Sequence, residues 1–363
     1  MSRLAWVLVL TVLPIAGCTS TGGGGGGGSA GQEDAAVDGP QASPRPDGGT
    51  MLFSPYETVN PDASAQNAAF SPDGTQVVFT LFTNGYNVGP AEIWIVSIDG
   101  SDAHRVTPVE DQDNVSVPGG AWNAVTDEIV FASDREDGDD LWAIHPDGTG
   151  LRRITTHIAP PYWIEPVWSP DGEWITFEAD TQANTELQQR GTIFKVRSDG
   201  TELTQVTKLE GEDYDDRLPN WSPDGDRILF QRRIPPEDAW DVYVIDTDGG
   251  SLVNVSNAPE YFNTDNSWSP DGQWIASSSQ YPAGGDELPL PNIIGFFVPD
   301  ADSPENVAPP VRITFSDDYE DGAPSVSPDG RWVAFESHRS DEESPSDLWI
   351  IATPEALLPA DDV

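Results

Sequence analysis

Residues 166–178 read Pro-Val-Trp-Ser-Pro-Asp-Gly-Glu-Trp-Ile-Thr-Phe-Glu and contain the pattern that decides the fold. An apolar segment ends at Trp168, and apolar and polar residues alternate after Gly172, as in a strand with one buried face. Between them, serine can bond its own backbone, proline presets φ, and glycine accepts a left-handed φ. The stretch therefore predicts an antiparallel hairpin closed by a type I turn with a G1 bulge.

The hairpin pattern recurs along the chain at nearly regular spacing. The tetrapeptide Ser-Pro-Asp-Gly stands at residues 71–74, 169–172, 222–225, 269–272 and 327–330. Six units can be aligned, and they are led by Phe70, Trp122, Trp168, Trp221, Trp268 and Val326. The second unit lacks the turn motif but keeps the apolar strand that follows it, at residues 129–131. A period of 46 to 58 residues indicates a repeated supersecondary unit.

Each unit contains four short strands. A third apolar strand, such as Leu-Trp-Ala-Ile at residues 141–144, follows the hairpin, and an Asp-Gly turn then leads to a short strand ending in Val-Thr or Ile-Thr. One sheet of this size cannot bury both of its faces, whereas six sheets packed radially can. We therefore predict an all-β fold, a six-bladed β-propeller of four-stranded antiparallel blades. Residues 50–53 are expected to complete the last blade as its outer strand, with residues 356–358 as the competing candidate.

The N-terminal residues have the features of an export signal. Arg3 precedes an apolar run over residues 4–15, which is too short to span a bilayer permanently. The run ends in Ile-Ala-Gly-Cys, and small residues directly before Cys18, the only cysteine, resemble a bacterial lipobox. The alternative is an ordinary signal peptide with a chance cysteine.

The chain is therefore predicted to have three parts. Residues 1–17 are predicted to be a lipoprotein signal peptide, and residues 18–50 a lipidated, flexible tether rich in Gly, Pro and Asp. Residues 51–363 are predicted to form the propeller. We expect lipid on Cys18 to hold the protein at the bacterial cell envelope, at the outer membrane, on its periplasmic or surface side.

The repeat units resemble the TolB-type, WD40-like propeller repeat, known as the PD40 repeat, over residues 51–352. The shared pattern is an aromatic residue before Ser-Pro-Asp-Gly, two apolar strands, Asp-Gly and Leu-Thr. The resemblance implies a propeller that docks onto a partner protein in the cell envelope. TolB-type proteins carry a separate α/β domain before the propeller and are released from the membrane. We expect this chain to differ in both respects, with only a tether before its propeller and with a lipid anchor. The repeat also forms the non-catalytic propeller of prolyl-oligopeptidase-type peptidases, but this sequence lacks their Gly-x-Ser-x-Gly motif.

The sequence is strongly acidic. It holds 62 Asp and Glu residues against 17 Lys and Arg residues, which gives a formal net charge of −45 at pH 7. Such a surface repels phosphates, which argues against nucleic acid and anionic lipid as partners and favours basic peptides or metal ions. The single cysteine rules out an intrachain disulfide and a cysteine-bound zinc. We expect a monomeric propeller.

The loops that lead into the innermost strands are the best candidates for ligand binding, because they surround one mouth of the central channel. In several units a tyrosine lies seven or eight residues before the turn serine, and carboxylates follow it. The predicted ligand-binding residues are His157, Tyr162, Trp163, Glu165, Tyr214, Asp216, Tyr261, Asp265, Tyr319 and Asp321. Ring stacking, cation–π contact and carboxylate ligation would suit a basic peptide, a sugar or Ca²⁺. Alternatively, each tyrosine packs between blades and each acid bonds a neighbouring amide.

These patterns favour a binding module over an enzyme. We predict a lipid-anchored, non-catalytic propeller that binds an envelope protein or peptide, without a cofactor and with Ca²⁺ as the one metal worth testing. The alternative is a polysaccharide lyase or hydrolase with its site at the channel mouth, for which only His157 is suitably placed. A purely structural role in the envelope is the third hypothesis.

Overall fold

The computed structural model describes residues 45–108, 115–116, 120–136, 139–156, 163–180, 191–208, 214–234, 239–258, 261–280, 290–299, 308–339 and 345–359. Within these ranges the chain forms 25 strands, one short α-helix and one 3₁₀ helix. The strands make six separate antiparallel sheets. The structure therefore confirms the predicted all-β propeller of six blades.

The strands follow one another blade by blade, after an initial strand β1 (Thr50–Phe53) and helix α1 (Pro55–Thr58). Blade 1 contains β2 (Ser64–Phe70), β3 (Gln76–Phe82), β4 (Ala91–Ser97) and β5 (His104–Arg105). Blade 2 contains β6 (Val115–Ser116), β7 (Trp122–Asn123), β8 (Glu128–Ser133), β9 (Asp140–Ile144) and β10 (Arg152–Arg153). Blade 3 contains β11 (Trp163–Trp168), β12 (Trp174–Asp180), β13 (Gly191–Arg197) and β14 (Thr204–Gln205).

The second half of the chain repeats the arrangement. Blade 4 contains β15 (Asp215–Trp221), β16 (Arg227–Arg233), β17 (Trp240–Asp246) and β18 (Val253–Asn254). Blade 5 contains β19 (Asn263–Trp268), β20 (Trp274–Ser279), β21 (Asn292–Phe297) and β22 (Val311–Arg312). Blade 6 contains β23 (Tyr319–Val326), β24 (Trp332–Arg339) and β25 (Asp347–Ala352), and the 3₁₀ helix Glu355–Leu357 follows it.

The N-terminal strand closes the ring. Blade 6 has the strand order β1-β25-β24-β23, and β1 pairs with β25 so that Met51 lies opposite Trp349. This confirms the prediction for residues 50–53. The competing segment instead forms the 3₁₀ helix, whose Leu357 is buried against blade 5 near Trp274.

A phenylalanine in the second strand of five blades forms the centre of the packing. These side chains have no exposed surface, and they are Phe79, Phe131, Phe177, Phe230 and Phe335. Blade 5 has Ser277 at the same register. Each buried phenylalanine side chain stabilises the fold by about 1.5–3 kcal/mol relative to an exposed one.

The Ser-Pro-Asp-Gly turns have the conformation that their residues predict. In blade 3, the Gly172 amide donates to the Ser169 carbonyl (2.9 Å), and Gly172 has a φ of +71°. The Ser169 hydroxyl donates to Asp171 and accepts from the Trp174 amide, which fixes the hairpin. In four blades the glycine also lies beside the turn proline of the preceding blade, as Gly272 does beside Pro223. The motif therefore sets both the hairpin and the contact between neighbouring blades.

Candidate functional site at the channel

The innermost strand of five blades carries a β-bulge where it lines the central channel. The strand pairing shifts register at residues 66–69, 164–167, 217–220, 264–267 and 322–325. One residue in each bulge has a left-handed backbone, and these residues are Asn67 (φ 56°), Glu165 (54°), Leu218 (52°), Asp265 (51°) and Ala323 (43°). A bulge redirects a side chain that would otherwise follow the pleat. Five blades therefore place an equivalent bulged residue beside the central channel.

Bonds from the neighbouring blade hold these bulges. The Leu218 amide donates to Glu178 Oε2 (2.9 Å), and the Asp265 amide donates to Gln231 Oε1 (3.1 Å). A left-handed residue other than glycine costs about 1–2 kcal/mol, so such a conformation persists where surrounding contacts fix it. The channel wall is therefore built by pairs of blades rather than by single blades.

The wall is polar and narrow. A cavity of about 30 Å³ lies against it, and the lining residues are Asn67, Glu165, Leu218, Pro219, Asn220, Asp265, Asn266, Ala323 and Pro324. Such a space holds one or two water molecules. The described lining therefore contains two carboxylates and three amides, without a lysine or arginine.

A cluster of ionisable groups lies beside this wall, where blade 6 meets blade 1. The Tyr86 hydroxyl donates to Glu336 Oε1, and the Asn67 bulge amide donates to Glu336 Oε2, both at 2.9 Å. The Tyr86 ring lies 4.8 Å from the ring of His338, which in turn is 3.7 Å from Glu320. Burial, together with the nearby charge of Asp265, raises the pKa of Glu336 to about 7. Burial also raises the pKa of Asp265.

Two of the predicted ligand-binding residues, Glu165 and Asp265, line the channel. His157 and Tyr162 lie outside the described residues, and of Trp163 only its place at the start of β11 is described. Tyr261 is half-buried, and its carbonyl accepts a bond from the Asn263 side chain. The structure thus brings two of the predicted acids to the axis, and ligand binding by the set stays a prediction.

Asp216 does not face the channel mouth but forms a buried ion pair. Both of its carboxylate oxygens accept bonds from Arg232, at 2.5 and 2.7 Å. The Arg232 Cζ atom lies 4.4 Å from the ring centroid of Tyr214. These two predicted residues therefore contact a cation that belongs to their own blade, whereas the alternative expected each acid to bond a neighbouring amide.

Asp321 and Tyr319 make the same arrangement in blade 6, but with a cation from elsewhere. The Asp321 carboxylate accepts bonds from both terminal nitrogens of Arg45, at 2.9 and 2.6 Å, and Tyr319 lies beside the guanidinium. Arg45 belongs to the segment assigned from the sequence to the flexible tether. Its side chain is buried in blade 6, so packed structure begins at least five residues before β1.

Sequence reasoning missed the residues that hold the bulges. Glu178, Gln231 and Glu336 each follow the buried phenylalanine of a second strand. The sequence signal that could have identified them is a polar residue directly after the buried phenylalanine of the second strand. The bulges themselves lie three residues before the leading residue of each unit, a position occupied by unrelated residue types.

Neither a metal site nor a membrane helix is found in the part of the chain that the structure describes. No group of three His, Cys, Asp or Glu side chains is placed there to bind a metal ion. None of the described helices is long and apolar enough to cross a membrane. Cys18 lies outside the described residues, so its lipidation stays a prediction.

Comparison with known proteins gives the same class of protein. Residues 56–235 match the model of the TolB beta propeller domain. An uncharacterized protein of Agrobacterium fabrum is 31% identical over 174 residues, which make up 46% of this chain and 55% of that protein. The chain therefore spans little more than half the length of that relative.

Solved structures with a similar fold differ in what they do. TolB from Acinetobacter baumannii is 17% identical with a TM-score of 0.50, over 80% of this chain and 63% of that one. Putative TolB from Agrobacterium tumefaciens is 19% identical with a TM-score of 0.51, over 80% and 90%. Oligogalacturonate lyase from Vibrio parahaemolyticus is 16% identical with a TM-score of 0.51, over 85% and 94%. At these identities the likeness concerns the fold alone.

The fold and the bulged channel wall define a six-bladed propeller with polar groups at its axis. Within that class, the repeat match makes the chain a TolB-like β-propeller protein built from PD40 repeats.

Proposed function

We propose that this protein is a lipid-anchored, non-catalytic propeller of the cell envelope that binds a protein partner at the channel mouth. In this proposal a basic segment of the partner places its tip against the carboxylates of Glu165 and Asp265. The acidic channel wall carries the proposal, because the two carboxylates share it with three amides and with no cation among the described lining residues. A net charge of −45 adds long-range attraction for a basic partner.

Features away from the channel support the remaining parts of the proposal. The TolB-like repeat supports a protein partner, since propellers of this type act as interaction scaffolds. The lipobox-like sequence before Cys18 supports the anchor. An outer-membrane location, on the periplasmic or surface side, is part of the same proposal.

Site-specific crosslinking in the native cell envelope tests the channel. A photo-crosslinking residue at Asn220 in the wall is compared with one at Thr201, an exposed residue of a blade 3 turn that is not among the described lining residues of the channel. We expect a discrete crosslinked protein from Asn220 only, with its yield reduced about tenfold or more when Glu165→Gln and Asp265→Asn are combined, since hydrogen bonds to charged groups contribute about 1.5–3 kcal/mol each. The same products from both positions, or products unaffected by the two substitutions, would overturn the binding role.

The anchor is tested separately. Replacing Cys18 by serine should abolish labelling with a fatty acid and should move the protein from the membrane fraction to the soluble fraction. If the Cys18→Ser variant fractionates like the parent protein, the anchor proposal is wrong whatever the crosslinking experiment shows.

A further inference from the structure

Blades 4 and 6 contain two matching cages for a guanidinium group. In blade 4, the Arg232 guanidinium is bonded to Asp216 and lies 4.4–5.4 Å from three ring centroids, those of Tyr214, Phe230 and Tyr243. In blade 6, the Arg45 guanidinium is bonded to Asp321 and lies 5.1–5.8 Å from the ring centroids of Tyr319, Phe335 and Trp349. Each acid and each ring occupies the same register in its blade.

The two cages differ in where the cation comes from. Arg232 lies on β16, two residues after Phe230, and so is a fixed part of blade 4. The residue two positions after Phe335 in blade 6 is Ser337, whose hydroxyl accepts a bond from Arg45 at 2.8 Å. Blade 6 therefore provides a complete cage without its own arginine, and a segment 276 residues away in sequence supplies the cation.

The segment that supplies Arg45 is itself a compact turn. Residues 45–48 read Arg-Pro-Asp-Gly, which is the repeat turn with arginine in place of serine. The Gly48 amide donates to the Arg45 carbonyl (3.1 Å), and Gly48 has a φ of +87°, as in the turns of the blades. Asp47 bonds Arg45 and accepts from the amide of Phe315 (3.2 Å), which lies in the connection between blades 5 and 6. The turn is thus held at two points, its arginine in blade 6 and its aspartate at the connection between blades 5 and 6.

The cage is built to exclude water from the cation. The side chain of Arg45 is 3% exposed and that of Asp321 is fully buried. Aromatic faces and a bidentate carboxylate are the features that favour arginine over lysine, because only the planar guanidinium fits both. The chemistry of the blade 6 cage therefore favours an arginine side chain that is presented on a turn.

We propose that the seam between blades 5 and 6 is a binding site for arginine-bearing turn peptides, which the chain's own residues 45–48 occupy in competition with a partner's segment of the same chemistry. This site is separate from the channel and does not depend on the function proposed there. The acidic surface of the molecule would attract such a peptide.

Peptide binding to the full-length chain tests the proposal. The probe is the capped peptide Ser-Pro-Arg-Pro-Asp-Gly-Gly, the sequence of residues 43–49, with a version in which lysine replaces the arginine as its control. By calorimetry we expect saturable binding to the Arg45→Ala variant, at least tenfold weaker binding to the parent chain because its site is filled, and little binding of the lysine peptide.

Two further variants separate specific binding from attraction to a negative surface. Adding Asp321→Asn to Arg45→Ala should abolish binding, and Arg232→Ala, which empties the blade 4 cage while Arg45 stays in place, should bind no better than the parent chain. Equal affinity of the parent and Arg45→Ala, binding that survives Asp321→Asn, or no binding to a folded Arg45→Ala variant would each overturn the proposal. Should Arg45→Ala fail to fold, Arg45→Lys replaces it, since lysine lacks the bidentate geometry and should yield the site to the arginine peptide.

Discussion

Glu336 links the channel wall to the stability of the ring, because its buried carboxyl in blade 6 accepts hydrogen bonds from Asn67 and Tyr86 of blade 1. Its pKa is raised from 4.5 to about 7 by burial. The unfolded chain loses this proton near pH 4.5, whereas the folded chain holds it until about pH 7. The stabilisation from the protonated carboxyl is therefore complete below pH 4.5 and is lost as the pH rises to about 7, by roughly 3 kcal/mol in total.

Replacing Glu336 by glutamine should remove this pH dependence. Glutamine keeps an oxygen for the Asn67 amide and cannot ionise, so Glu336→Gln should gain stability relative to the parent chain by roughly 2–3 kcal/mol between pH 4.5 and 8. Urea unfolding at pH 4.5, 6, 7 and 8 measures the difference, with Glu355→Gln at an exposed position as the control. Parallel pH profiles for the parent and Glu336→Gln would contradict the prediction. Asp265, Glu320, Tyr86 and His338 surround the site and are unchanged in both proteins.

At the scale of the element, the turns were predictable from sequence and the bulges were not. A Ser-Pro-Asp-Gly turn depends on the φ preferences and short hydrogen bonds of its own four residues. The Asn67 bulge, by contrast, is fixed by a carboxyl 269 residues away, and Asp321 is paired with an arginine 276 residues away. The acids were therefore recognised as candidates, but which of them face the channel and which are buried in ion pairs was set by the packing of blades.

The turn glycines are predicted to be the least replaceable residues of the hairpins. Gly272 has a φ of +69°, so alanine there should destabilise the protein by about 1–2 kcal/mol through backbone strain. Gly322→Ala is the matched control, because that position has no left-handed backbone and leaves a Cβ atom 3.5 Å from Glu336, an ordinary contact. The midpoint of chemical unfolding measures both variants, and equal losses for the two would show that the turn conformation does not matter.

At the scale of the whole molecule, stability depends on a ring closed by the first strand of the chain. Phe53 of β1 is 5% exposed and packs on blade 1, with its ring centroid 5.1 Å from that of Phe79 and 6.0 Å from that of Trp94. One side chain thus joins the outer strand of the last blade to the first blade. An opened ring would leave blades 1 and 6 each with one neighbour, which exposes apolar faces that the other blades bury.

Phe53→Ala should therefore lower the free energy of unfolding by about 3–5 kcal/mol, which is the loss expected for a buried phenylalanine in a protein core. Phe315→Ala removes the same side chain where it is 52% exposed and should change stability by no more than about 0.5 kcal/mol. Denaturant unfolding of both variants, followed by tryptophan fluorescence, gives the two values under one set of conditions. If the two substitutions lower the free energy of unfolding equally, β1 does not stabilise the closed ring. The packing of the other strands would then have to keep the ring closed without it.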